Sequence, residues 1–401
     1  MPRFEPFAGV RYDTDRVSLD DVVAPPYDVI DADERETLGA RSPWNVVHVD
    51  LAQESDGLTR YETARCRLQE WLESGALTTD PEPGFYVYKM GYRDDEGTVR
   101  QTSGVIGALG LAPPGEGGVL PHEQTMSKPK DDRLNLLRSC RANLSPIWCL
   151  SLASGLSELC DVAGPPLARS TDAEGVHHRL WRVTQPGLLA AMADTVASAP
   201  VVIADGHHRY ETSLAWQAEV RESTDGRAGD HDLVLAYVVE LATDQLSVGP
   251  IHRALSQLPA GFDVLGALAA QFDVTEQPDL LETGAPGAEL SGRMASTGAL
   301  GVVADGRAWL VRPHGDDGSE PDAGLLARAL GNWPEHDTEY LHRVDDVLAA
   351  VTTGQAQVGL VLRPPTVDQI ARTANAGGRM PPKTTFFRPK PRTGMVFRRL
   401  V

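Results

Sequence analysis

Residues 201–216, VVIADGHHRYETSLAW, restrict the fold more tightly than any other stretch of the chain. Val201, Val202 and Ile203 are β-branched and follow Pro200, the pattern of a short buried strand. From Tyr210 onward, Tyr210, Leu214 and Ala215 recur at helical spacing, with no breaker through Glu219. Asp205, Gly206, His207, His208 and Arg209 therefore fall at a strand-to-helix turn. Unbonded backbone N–H groups and the helix dipole favour an anion there. Gly206 permits a tight turn or a close approach of ligand to backbone. Arg209 and two imidazoles suit an oxyanion such as phosphate. The plainer alternative is a solvated turn in which Asp205 caps the helix, with Glu211 a first-turn acid.

Composition narrows the classes. At 401 residues the chain holds two or three domains with substantial cores. Its formal net charge of −19 repels a phosphate backbone, so nucleic acid is not an expected partner. No run of eighteen apolar residues predicts a membrane span, and the N-terminus lacks the apolar core of a signal peptide. Cys66, Cys140, Cys149 and Cys160 form no C-x-x-C pair, which leaves reduced, inert thiols as the expectation. A cytoplasmic enzyme acting on small metabolites fits these features.

Strand and helix patterns interleave without strict alternation, which predicts an α+β (mixed α/β) architecture. Asp31 or Asp33 caps a helix, residues 58–75 form an amphipathic helix ending at Gly75, and WNVVHVDL (44–51) alternates like a strand. Strands at 84–93 and 100–111 join through DDEG, and 299–313 reads as a hairpin turning at Ala304–Arg307. The expected organisation is a core over 1–260 that contains the turn, a smaller α+β part over 261–343, and a C-terminal segment, 344–401, folding back on the core.

Three further places carry candidate chemistry. LPHEQTMSKPKDDR (120–133) gathers His122, Glu123, Lys128 and Arg133, which can deliver a general base and phosphate-binding cations together. It also reads as an exposed charged loop before a helix capped by Asp131 or Asp132. MPPKTTFF (380–387) sets Lys383 and Thr384 near Gly377 and Gly378, without the spacing of a Walker A loop. Tyr27 and Asp28 sit in a proline-stiffened loop able to line a pocket. His177 and His178 share a strand, which sends them to opposite faces. HDTEYLH (336–342) mixes acids and histidines without H-E-x-x-H spacing.

PFAGVRYD, VVAPPYDVI, LPHEQTMSKPKDDRLNLLR, NLSPIW, ADGHHRYETSLAW, GPIHRAL and RMPPKTTFFRPKPRTGMVF occur in this order. Together they resemble the bacterial domain-of-unknown-function family DUF1015 over nearly the whole chain. The D-G-H-H-R turn is similar to the phosphate-binding turn of the ParB/sulfiredoxin superfamily, free serine kinases included. The resemblance implies a ParB/sulfiredoxin-like nucleotide-binding core with added N- and C-terminal α/β segments. It also implies a small-molecule kinase moving a phosphoryl group from ATP or ADP to a hydroxyl, with free L-serine one acceptor. In that reading Gly206, His207, His208 and Arg209 cradle phosphates, and Asp205 is a candidate Mg²⁺ ligand. Glu123 takes the hydroxyl proton, and His122, Lys128, Arg133, Lys383 and Thr384 hold phosphate charge. Two alternatives stay open: a nucleotide-binding regulatory switch without a small-molecule acceptor, and a metal-dependent phosphohydrolase.

Overall fold

A computed structural model describes residues 1–94, 97–113, 116–121, 130–315, 318–378 and 380–400. The architecture is α+β, as the mixed patterning predicts. Residues Met1–Ser247 with Pro389–Val401 form one compact unit and Val248–Arg388 a second. Residues 261–343 thus share a unit with 248–260 and 344–388, and only the last thirteen residues of 344–401 belong with the N-terminal part.

The first unit is built on a large mixed sheet. Its strands run in the order Val119–Pro121, Val201–Asp205, Ile147–Ser151, Leu233–Glu240, Val99–Gly110, Phe85–Arg93, His177–Val183 and Ala168–Thr171, with Phe4–Glu5 pairing onto Val99–Gly110. The central strands are apolar throughout, since both faces are covered: Leu233–Val239 and Ile147–Ser151 are buried at every position. Phe85, Val105, Ile147, Val201, Val238 and Met192 meet in one core. Val201–Asp205 runs parallel to Val119–Pro121 and antiparallel to Ile147–Ser151, with a register shift that skips Ala204 and pairs Asp205 with Trp148 at the strand's end.

Local signals set the helices. Asp31 accepts from the Glu34 N–H at 2.8 Å and starts Ala32–Arg41. Thr59 and Glu62 form a reciprocal capping box at the head of Arg60–Glu73, and Gly75 follows its end at φ +75°. WNVVHVDL is the exception. Val47–Asp50 is a short helix, because the Asn45 side chain accepts from the Val47 N–H and donates to the Asp21 carbonyl, closing a turn where alternation predicts a strand. His177 and His178 do face opposite ways, His177 exposed and His178 buried.

The second unit holds a six-stranded sheet in the order Phe272–Glu276, Arg307–Pro313, Leu300–Ala304, Val358–Val361, His252–Ser256 and Asp337–Leu341. Its ladders are antiparallel. The expected hairpin turns through Asp305 at φ +47° and Gly306 at φ +69°, the left-handed pair of a tight two-residue loop. Among the described residues the four cysteines are free thiols, and no helix is long and apolar enough to cross a membrane.

Candidate functional site

Asp205 ends its strand, Gly206 stands at φ +90°, and the helix His207–Ser223 starts at the next residue. Gly206 is required twice over. Its backbone lies in the left-handed region, and a Cβ there would sit 3.0 Å from the Arg209 guanidinium. The bend folds Arg209 back onto the strand it leaves: Nη2 donates to Asp205 Oδ2 at 2.6 Å, and Nη1 donates to Ser145 Oγ at 3.0 Å and to the Pro146 carbonyl. NLSPIW, one of the quoted segments, thus supplies the acceptors that aim Arg209.

The other Asp205 oxygen belongs to a residue far along the chain. Lys390 Nζ donates to Asp205 Oδ1 at 2.8 Å and to Asp28 Oδ2 at 3.3 Å. Burial would raise the Asp205 carboxyl, but Lys390 and Arg209 outweigh it and hold the group down at about 2. Burial likewise works against charge on Lys390, and the two carboxylates more than offset it, so the ammonium is retained. Asp205 is an anion clamped between two cations.

The helix from His207 packs against Lys130–Cys140, and Arg138 on the latter pairs with Glu219 on the former. Tyr210 is buried in the core with Leu214 packed against it, and Thr212, Ser213 and Gln217 are also buried, whereas Ala215 is exposed. Between the two helices lies a hollow of about 50 Å³ lined by Arg133, Arg209, Thr212, Ser213, Ser145 and Tyr27, among others. One water occupies roughly 10–15 Å³, so the space has room for a small group such as one tetrahedral oxyanion and not for a nucleoside. Arg133 is 8% exposed, stacks over the Tyr27 ring at 4.3 Å, and donates to Asp50 Oδ1 at 2.9 Å and Asp132 Oδ2 at 2.6 Å. Burial pulls its charge down, but Asp50 and Asp132 overcome that. A second hollow of about 270 Å³ shares Asp50, Arg133 and Leu136 with the first and opens toward Arg35, Arg60 and Tyr61.

Two buried polar atoms of residues that line the smaller hollow, Arg209 Nε and Thr212 Oγ1, make no hydrogen bond among the described residues. A buried donor left unbonded costs about 1–3 kcal/mol, and both donors belong to residues that wall this hollow together with Arg133.

The expected residues divide as follows. Asp205, Gly206, His207, His208 and Arg209 share one bend, with both histidines half-buried in the first helical turn. Arg133 lines the same hollow as Arg209. His122, Glu123 and Lys128 lie outside the described residues. Lys383 and Thr384 belong to the second unit. There the Lys383 carbonyl accepts from Arg253 Nη2 at 2.8 Å, and Thr384, 3% exposed, donates its hydroxyl to the Pro381 carbonyl at 2.7 Å. Both Asp205 oxygens are engaged by cations, and among the described residues no three His, Cys, Asp or Glu side chains gather as metal ligands, so this bend does not fit a resident Mg²⁺. Asp50, Thr212 and Lys390 complete the site without having been expected. Lys390 had a signal, a lysine held between Pro389 and Pro391, and Asp50 is an acid inside an apolar run.

Fold and hollow together define an α+β protein with an arginine-walled hollow at a strand-to-helix bend. The chain belongs to the family described as "Protein of unknown function (DUF1015)", which matches residues 4–333. No curated protein matches it. Among solved structures it is similar to a free serine kinase in complex with AMP, at 13% identity over 67% of this chain and 83% of that one, with a TM-score of 0.36. It is also similar to a conserved hypothetical protein from Pyrococcus furiosus, at 13% identity over 70% and 90%, TM-score 0.36. A third is SbnI with C-terminal truncation from Staphylococcus aureus, at 10% identity over 72% and 85%, TM-score 0.39. Likenesses this remote carry no argument about the site.

Proposed function

We propose that the protein is a small-molecule kinase that transfers a phosphoryl group from ATP or ADP to a hydroxyl, with free L-serine the first acceptor to test. The observation behind this reading is the anion-sized hollow walled by Arg133 and Arg209, whose lining residues Arg209 and Thr212 each keep a buried donor, Nε and Oγ1, without a hydrogen bond among the described residues. Such a space suits one phosphoryl group, and the larger hollow across Arg133 offers room for more of a nucleotide. Choice of serine follows the similarity of the D-G-H-H-R turn to that of free serine kinases.

Phosphoryl transfer asks the protein mainly for positioning and charge. The acceptor oxygen bonds to the terminal phosphorus as the bond from that phosphorus to the bridging oxygen breaks. The hydroxyl proton passes to a carboxylate, Glu123 in this proposal, and the shortened nucleotide leaves with the bridging oxygen's electron pair. Arg209 and Arg133 offset the charge on the equatorial oxygens, and His207, His208 and the Gly206 backbone steady the phosphate chain. Lys128 and His122 remain proposed phosphate contacts. Magnesium enters only with the nucleotide, as a metal–nucleotide substrate.

Incubation with terminally labelled ATP or ADP, with and without L-serine, tests the reading. Serine-dependent appearance of labelled phosphoserine is expected. Tight nucleotide binding with no acceptor-dependent turnover would replace the kinase with a nucleotide-binding switch.

A further inference from the structure

At the far edge of the first unit's sheet lies a separate hollow of about 740 Å³, within the range of small-molecule sites. Its floor is the outward face of four adjacent strands. Gln101, Gly91, His177 and Thr171 sit side by side in register, flanked by Arg93 on one side and by the Arg179–Arg169 pair on the other. Gly91 at the centre has no side chain, and that leaves the floor open; a Cβ there would meet nothing nearer than 3.7 Å.

Charge at this place runs against the rest of the chain. Among the described residues, Arg93, Arg100, Arg169 and Arg179 line the hollow against Asp20 and Glu174, an excess of two positive charges in a protein of net charge −19. Arg100 is paired with Asp94 at 2.9 Å. Arg93 donates to the Gly97 carbonyl and Arg179 to Gln101 Oε1 at 2.7 Å, both neutral acceptors. Among the described residues Arg93, Arg169 and Arg179 have no carboxylate partner, and Arg179 Nε is closed off from solvent with no hydrogen bond at all. Nearby cations repel one another, and a shared counter-anion relieves that repulsion.

We infer that this sheet face is a second binding site, for a small molecule carrying two or more anionic groups. It does not depend on the kinase reading. Five strands separate Ala168–Thr171 from Val201–Asp205, roughly 29 Å at a strand spacing of ~4.8 Å. Arg179 and Arg169 would take one anionic group and Arg93 another, with Gly91 leaving space between them.

Calorimetric titration of the full chain with inorganic pyrophosphate, and separately with citrate, tests this. Three proteins are compared: wild type, the Arg169→Ala/Arg179→Ala double variant, and Gly91→Glu, which sets a carboxylate in the middle of the floor. Any pyrophosphate held at the Asp205 bend is common to all three and cancels in the comparison. Saturable binding of at least one anion is expected, weakened at least tenfold in both variants and by added salt. Preference between the two anions then tells phosphate from carboxylate. Absence of saturable heat for both anions, or variant isotherms that superimpose on the wild type, overturns the site; unchanged melting temperatures establish that the variants are folded.

Discussion

Lys390 places its ammonium 2.8 Å from Asp205 Oδ1 across 185 residues of sequence, between that carboxylate and Asp28. The C-terminal segment thereby closes the strand-to-helix bend, and Asp205 is held by one cation from the helix that follows it and one from the C-terminal segment. Lys390→Met keeps the length of the side chain and removes the charge. It should cost about 1–3 kcal/mol in denaturant unfolding, less when combined with Asp205→Asn than the two single costs added together. Acid unfolding should change too. Asp205 is depressed to about 2 when folded, against roughly 3.9 unfolded, so its stabilisation is full above pH ~4 and is lost as pH falls toward 2. In Lys390→Met that acid-sensitive portion shrinks.

Thr212→Val separates stability from binding. The buried hydroxyl makes no hydrogen bond among the described residues, so an isosteric apolar replacement should leave the ligand-free protein as stable or up to ~1 kcal/mol more so. Binding of nucleotide should weaken about tenfold, because the phosphoryl group loses a donor. A loss of both stability and affinity in thermal melts and calorimetry would mean that the hydroxyl is already satisfied.

Gly206→Ala meets two obstacles at once, the φ of +90° and the 3.0 Å approach of Arg209. It should cost about 1–2 kcal/mol and displace the guanidinium from Ser145 and Pro146. Arg209→Lys keeps the charge but loses the fork that reaches three acceptors, and should weaken nucleotide binding at least tenfold with little change in melting temperature beyond that of the ion pair.

His252, in the second unit, is 2% exposed, and its Nδ1 accepts from the Leu362 N–H at 3.1 Å. Burial, with Arg253 and His342 adding to it, pushes the imidazole down to about 4. The unfolded chain, near 6.5, binds a proton that the folded chain refuses, so stability rises with pH from 4 to 6.5 by up to about 1.4 kcal/mol per unit. His252→Asn retains an acceptor for Leu362 and should flatten that dependence in unfolding titrations of the full chain.

Local chemistry was legible and distant pairing was not. Val201–Ile203, Gly206 and Arg209 announce themselves because strand, turn and oxyanion signals lie within nine residues. The hairpin at Asp305–Gly306 and the helix ending at Gly75 were readable for the same reason. Alternation at WNVVHVDL misled, since Asn45 bonds its own backbone and turns the segment helical, and Asp50, the partner of Arg133, was hidden with it. Thr212 looked like any helical threonine until the packing of Lys130–Cys140 buried it. In RMPPKTTFFRPKPRTG the sequence drew attention to Lys383 beside two threonines, while the lysine that reaches Asp205 is Lys390, and only tertiary structure distinguishes them.

Calorimetric titration of ATP and ADP into the wild type and Arg209→Ala, at matched salt, addresses the central claim most directly. The account predicts saturable, one-to-one binding by the wild type and loss of at least a hundredfold in affinity for Arg209→Ala, with the variant still folded by its melting curve. Equal affinity in the two proteins, or no nucleotide binding by the wild type, would contradict it.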